Sequence, residues 1–225
     1  MTLRLFVSKD SASVAVGAER VASALADAAA KRGVAIEIVR TGSRGLYWLE
    51  PMVEVETDSG RIAYGPATPD DTDSLLDAMI ANSEHRLRLG KPEDIPFLAR
   101  QTRLTFARCG IVDPLSVADY AAHGGWRGIA KAATMQPAEI VAEITESGLR
   151  GRGGAGFPTG IKWRTALDAP GAEKYVVCNA DEGDSGTFAD RMLMEGDPFL
   201  MIEGMAIAGL ATGATKGVIY IRSEY

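Results

Sequence analysis

Between Ser147 and Trp163 the chain reads Ser-Gly-Leu-Arg-Gly-Arg-Gly-Gly-Ala-Gly-Phe-Pro-Thr-Gly-Ile-Lys-Trp, six glycines with two arginines and a lysine among them. Without Cβ atoms the backbone can take φ > 0 and come close to a ligand. The neighbouring cations offer charge to a phosphate. A flexible linker pairs Gly with Ser, whereas Phe157, Pro158, Ile161 and Trp163 are rigid or apolar and need something to pack against. The run therefore reads as an ordered loop prepared for an anion.

Two familiar phosphate loops do not fit it. A Walker A motif needs Gly-Lys-Ser/Thr, but Lys162 follows Ile161 and precedes Trp163. Gly151, Gly153 and Gly156 satisfy G-x-G-x-x-G, yet the dinucleotide version follows a strand and opens a helix. Here the preceding residues read as a helix: Pro137 suits its first position, Glu139 its first turn, and Ile140, Val141 and Ile144 share a face. No acid stands about twenty positions on to bind a ribose, since Asp168 comes too early.

Periodicity organises the rest. Leu3 to Val7 alternates as a strand, Val14 to Arg32 predicts a helix ended by Gly33, and Ala35 to Val39 a buried strand. Met52 to Thr57 and Arg61 to Tyr64, joined through Asp58-Ser59-Gly60, predict a hairpin. Thr68-Pro69-Asp70-Asp71 resembles a cap ahead of a helix through Asn82. The order is β-α-β-β-β-α over residues 1–83. Residues 84–98, charged and carrying two prolines, read as a connector, and 99–225 as a second domain. In that domain short helices are expected from Pro114 to His123 and from Trp126 to Thr134. Lys174 to Cys178 reads as a strand delivering Asn179 to Gly186 at its carboxyl end, where α/β sheets place ligand loops. Phe199 to Ile221 is the longest apolar tract, but Glu203, Lys216 and its glycines leave it short of a membrane span. It predicts a helix to Leu210, a turn at Gly213 and a strand from Gly217.

With 225 residues, 46% of them hydrophobic, the chain can bury one large core or two smaller ones. A net charge of −6 gives no electrostatic footprint for nucleic acid or an anionic membrane. Cys109 and Cys178 are far apart and lack C-x-x-C spacing, so buried free thiols are expected, with neither disulfide nor metal. His85 and His123 have no neighbouring ligand pattern, and the acids at 181, 182 and 184 miss the EF-hand spacing. The amino terminus has too short an apolar core for a signal peptide, and a cytoplasmic setting is expected.

The run Gly148 to Trp163 closely resembles the signature of the flavin-bearing, NADH-oxidising subunit of respiratory complex I and its soluble relatives. Cys178-Asn-Ala-Asp-Glu-Gly-Asp-Ser-Gly-Thr-Phe-Ala-Asp-Arg191 is similar to that family's other flavin-site loop. The resemblance implies FMN and NAD(H) as cofactors. Gly151, Arg152, Gly153 and Lys162 would approach the FMN, and Gly154 and Phe157 the dinucleotide. Asn179, Asp181 and Glu182 would bind flavin polar groups, with Asp184 beside the nicotinamide; many relatives carry Glu there, and the shorter carboxylate keeps the charge but loses reach. No catalytic acid or base is implied, because the flavin carries the chemistry.

Residues 1–83 resemble the thioredoxin-like ferredoxin domain that some members carry in front. The fold class expected is thus α/β: a thioredoxin-like α+β domain, then the first part of an FMN-binding α/β domain. Four cysteines hold a 2Fe–2S centre in cluster-bearing versions. Here Ser8, Ser11, Ser13 and the Gly42 to Gly45 turn lie near the ligand positions, so a cluster-free domain used for packing or subunit contact is expected. With Gly42-Ser-Arg-Gly-Leu-Tyr-Trp-Leu-Glu-Pro51, it most resembles the beta subunit of soluble, NAD-dependent molybdenum formate dehydrogenase. The diaphorase of NAD-reducing hydrogenase and complex I itself are the alternatives. Implied partners are a molybdenum-containing catalytic subunit and a small thioredoxin-like 2Fe–2S subunit. On this likeness the sequence is the amino-terminal portion of a longer subunit whose 4Fe–4S cluster lies further on. A docking module without redox activity, or a flavin-free NAD-binding protein, are the readings from other classes.

Overall fold

A computed structural model describes residues 2–171, 173–184 and 186–223. The chain divides into two compact units: the first runs up to Asp119 and takes in Met192–Asp197, and the second comprises Tyr120–Arg191 and the chain from Pro198 onward.

The first unit begins with β1 (Leu3–Ser8), α1 (Ser11–Ala15), α2 (Ala18–Lys31) and β2 (Ile36–Thr41). The single helix expected from Val14 to Arg32 is broken at Gly17, whose φ of 107° no helix accommodates. Asp10 caps α1 by accepting the Ser13 N–H at 2.8 Å. Next come β3 (Val53–Thr57) and β4 (Gly60–Tyr64), the expected hairpin, and α3 (Thr72–Ala81), entered through the Thr68/Asp71 capping box. The expected connector holds more structure than its charge suggested: β5 (Arg88–Gly90) pairs with β4, and α4 (Pro96–Ala99) follows. A three-residue edge strand is too short to show alternation, so its polar residues read as linker.

Sheet order is β2-β1-β3-β4-β5, with β1 and β2 parallel and the other pairings antiparallel. This sheet has two different faces. Leu5, Val7, Val53, Val55, Ile62 and Tyr64 point to one side, where Val21 and Leu25 of α2 and Leu75 and Met79 of α3 cover them. The alternate residues Phe6, Glu54 and Ala63 form one cross-strand row on the other. Over that row fold Leu46 and Leu98, both buried. Beside them Arg44 closes a bidentate ion pair on Glu54 at 2.5 and 2.9 Å. Arg61 reaches the same carboxylate at 3.4 Å and stacks 3.3 Å over the Phe6 ring.

Among the described residues the second unit holds four helices and two strands, in addition to α5 (Val117–Ala122) and α9 (Ala189–Gly196), whose residues are divided between the two units. They are α6 (Arg127–Ala132), α7 (Pro137–Glu146), α8 (Thr159–Asp168), β6 (Tyr175–Ala180), α10 (Pro198–Thr212) and β7 (Lys216–Ile221). Ala132, Ile140, Val141 and Ala211 form its core, with Trp163, Leu167 and Ile207 packed on them. The apolar tract resolves as expected into α10, a Gly213 turn at φ 77° and β7, and no described helix is long and apolar enough to cross a membrane. β6 and β7 pair in parallel along their whole length.

Candidate functional site

The glycine run forms the connection between α7 and α8, and the helix contact sets its width. A Cβ at Gly160 would lie 2.2 Å from Thr145 Oγ1 and 2.7 Å from Thr145 Cα, so the two helices meet there at backbone distance. Above this contact the loop is closed by a two-rung stem. Gly151 N–H donates to the Phe157 carbonyl and Thr159 N–H to the Leu149 carbonyl, each at 2.9 Å, and Arg150 pairs opposite Pro158. Arg150 Nη1 adds a 2.9 Å bond across the stem to the Gly156 carbonyl.

Within the stem, Gly154 and Gly156 take φ of 99° and 59°. Among the described residues the N–H groups of residues 152–156 have no acceptor. A Cβ at Gly153, Gly154 or Gly156 would meet nothing within 4 Å, so the loop's rim is open. Consecutive unsatisfied amides in a glycine loop make an anion-binding concavity. Lys162 lies in the first turn of α8 and is exposed, while Trp163 beside it packs into the core and anchors the helix. The Phe157 side chain is half exposed, leaving a ring face for stacking.

The second loop leaves the carboxyl end of β6. Asn179 Oδ1 accepts the Asp181 N–H at 3.2 Å, and Asp181 and Glu182 are half-buried while Asp184 is exposed; Ser185 lies outside the described residues. Glu182, at φ 45°, turns its carboxylate onto the start of α9, accepting the Asp190 and Arg191 N–H groups at 2.9 and 3.0 Å. Its carbonyl accepts from Arg222 at 3.1 Å. Glu182 thus shapes the loop, an N-terminal cap that its position in an acidic run did not announce. Burial, and then the Glu182 charge, pushes the Asp190 carboxyl above its usual range. The two loops share one support, because α10 packs against α7, α8 and β6. Cys178 on β6 is half-buried rather than buried as expected, and burial raises its thiol; Cys109 is fully buried, its thiol pushed up to about 12 by burial and then by Asp197.

Glu203 of α10 was legible in the sequence only as an interruption. It is buried, and its carboxylate accepts from the Tyr120 hydroxyl and from the Trp126 and Ile129 N–H groups at 2.9 Å. Burial pushes this carboxyl up, but the bonds from Tyr120 and from the Ile129, Trp126 and Gly128 amides outweigh it and hold it below its usual range. The signal that could have found it is general: an acid within an apolar helix must be paired or bonded.

In the first unit the serines and the glycine turn near the expected cluster positions do not suit a 2Fe–2S centre. Ser8 donates to Asp10, Ser43 donates to Glu50 at 2.9 Å, and Arg44 is buried against Glu54. Among the described residues no group of three His, Cys, Asp or Glu side chains could hold a metal. The engaged Ser8 and Ser43 hydroxyls and the Arg44 guanidinium do not fit a cluster that takes thiolates.

Residues 144–225 match the family described as the Nuo51 FMN-binding domain. Over this part the chain is similar to diaphorase flavoproteins. Among its relatives, the NADP-reducing hydrogenase subunit HndC of Solidesulfovibrio fructosivorans is 56% identical over 126 residues, 56% of this chain and 26% of that protein. An NADH-quinone oxidoreductase subunit of Aquifex aeolicus is 51% identical over 49% of this chain and 26% of its own. The NAD-reducing hydrogenase HoxS subunit alpha of Cupriavidus necator is 52% identical over 40% of this chain and 15% of its own. The chain thus spans about a quarter or less of these diaphorase-family proteins.

Proposed function

We propose that this chain binds FMN and NAD(H) and serves as the nucleotide end of a diaphorase subunit, passing electrons between NAD(H) and an iron–sulfur chain. The observation that carries the reading is the stem-closed loop with its five unpartnered amides, in the segment that matches an FMN-binding family. Gly151, Arg152, Gly153 and Lys162 hold the FMN phosphate and approach the flavin, and Gly154 and Phe157 take the dinucleotide, Phe157 by stacking. Asn179, Asp181 and Asp184 supply hydrogen bonds to ribityl, ring and ribose groups, and Glu182 holds their loop in shape. Bound flavin would supply the ability to accept a hydride and release single electrons.

The finer assignment is the beta subunit of a soluble, cytoplasmic NAD-dependent formate dehydrogenase, with a molybdenum-containing catalytic subunit and a small thioredoxin-like 2Fe–2S subunit as partners. The thioredoxin-like first unit and the Gly42 to Pro51 segment support it. A diaphorase subunit of a hydrogenase is the second reading, favoured by the 56% identity to an NADP-reducing hydrogenase subunit.

The test is titration of the purified chain with FMN, followed by quenching of flavin fluorescence. Saturable binding is expected, and a chain that leaves FMN fluorescence unchanged supports a docking role instead. Lys162→Ala removes a charge-assisted partner worth roughly 1.5–3 kcal/mol and is expected to weaken FMN binding about ten-fold or more. Phe157→Ala is expected to weaken NADH more than FMN, and the reverse order reassigns that ring to the flavin.

A further inference from the structure

Arg150 has no part in holding either cofactor on the proposed reading, yet it makes the one side-chain bond that spans the glycine loop among the described residues. Its Nη1 reaches the Gly156 carbonyl at 2.9 Å, one residue before Phe157, and its own backbone sits opposite Pro158 in the stem. Its carbonyl in turn accepts from the Arg152 guanidinium at 3.3 Å. The segment it closes is otherwise free to spread, since Gly153, Gly154 and Gly156 meet nothing within 4 Å at their Cβ positions and no amide from 152 to 156 is bonded within the described residues. A glycine loop loses the most conformational entropy on being ordered. Holding it ordered before the ligand arrives moves that cost from binding to folding.

We propose that Arg150 is the positioning residue of this loop. By tying the Gly156 carbonyl across the stem it keeps the five amides converging on one anion and presents Phe157 for stacking. The inference rests on the FMN- and NAD(H)-binding reading for its ligand, but the clamp itself is a property of the free chain.

Two measurements on the whole chain test it, comparing wild type with Arg150→Ala. In the absence of ligand, amide hydrogen exchange at Gly151 and Thr159, the two stem donors, is expected to speed up about ten-fold while the thermal midpoint is unchanged. FMN binding is expected to weaken about ten-fold at both about 0.05 M and about 0.5 M salt, because a clamp acts through loop order whereas an exposed charge attracting a distant phosphate is screened. Unchanged exchange at both amides overturns the proposal whether or not FMN binds. An affinity loss that vanishes at the higher salt also overturns it, leaving Arg150 as an attracting charge. A wild-type chain that binds no FMN counts against the functional reading, and the exchange result still decides Arg150.

Discussion

Glu50 shows how one buried group ties folding to pH. Its carboxyl takes the Ser43 hydroxyl and the Met52 N–H at 2.9 Å each, and burial, reinforced by the nearby Asp10, pushes it up to about 7 from 4.5. The folded state therefore holds the Glu50 proton more tightly than the unfolded chain does. That stabilisation is fully present below the unfolded value of 4.5 and is lost as pH rises through about 7, in total about 3 kcal/mol. Urea unfolding of wild type and Glu50→Gln should show it: between about pH 5 and pH 8 wild type loses stability relative to the variant, and parallel curves would remove Glu50 as the cause. Glu203 behaves in the opposite sense, since its bonds favour the charged form. Removing it as Glu203→Ala leaves the Tyr120 hydroxyl and the first amides of α6 without their acceptor, and a loss of about 3 kcal/mol is expected in the same assay.

Among the elements, α7, the glycine loop and α8 act as one unit whose glycines have distinct jobs. Gly160 is a packing glycine, with no room for a methyl group against Thr145. Gly153 has open space around its Cβ and is needed only if a ligand approaches there. Gly160→Ala is accordingly expected to cost about 2 kcal/mol of stability by overpacking. Gly153→Ala should change stability by less than about 0.5 kcal/mol while weakening FMN. Thermal unfolding and FMN titration on the two variants check this pairing, and equal stability losses would contradict it. In the first unit Gly42 has a comparable task, because its Cβ would come within 2.4 Å of the Gly196 backbone.

At the scale of the whole molecule, the two sheets differ in how far they are covered. In the first, both faces of the central strands are buried, whereas every residue of β7 is exposed, including Val218, Ile219, Tyr220 and Ile221, and Val177 of β6 is exposed too. Parallel strands ordinarily lie buried on both faces, and an apolar strand left open invites association. The purified chain is expected to associate with rising concentration, and Val218→Lys with Tyr220→Lys to suppress this in sedimentation; a wild-type chain monomeric at all concentrations would refute it. Local chemistry was enough to read the glycine loop, the Asp58-Ser59-Gly60 hairpin, the Thr68 cap and the division of the apolar tract at Gly213, because each depends on residues within a few positions of one another. Nothing local distinguished β5 from a linker, nor predicted that Glu203 would cap α6, that Glu182 would cap α9 or that Arg44 would meet Glu54. Those contacts join residues brought together only when helices and strands pack, and a buried charge finds its partner by proximity in space, whatever the distance along the chain.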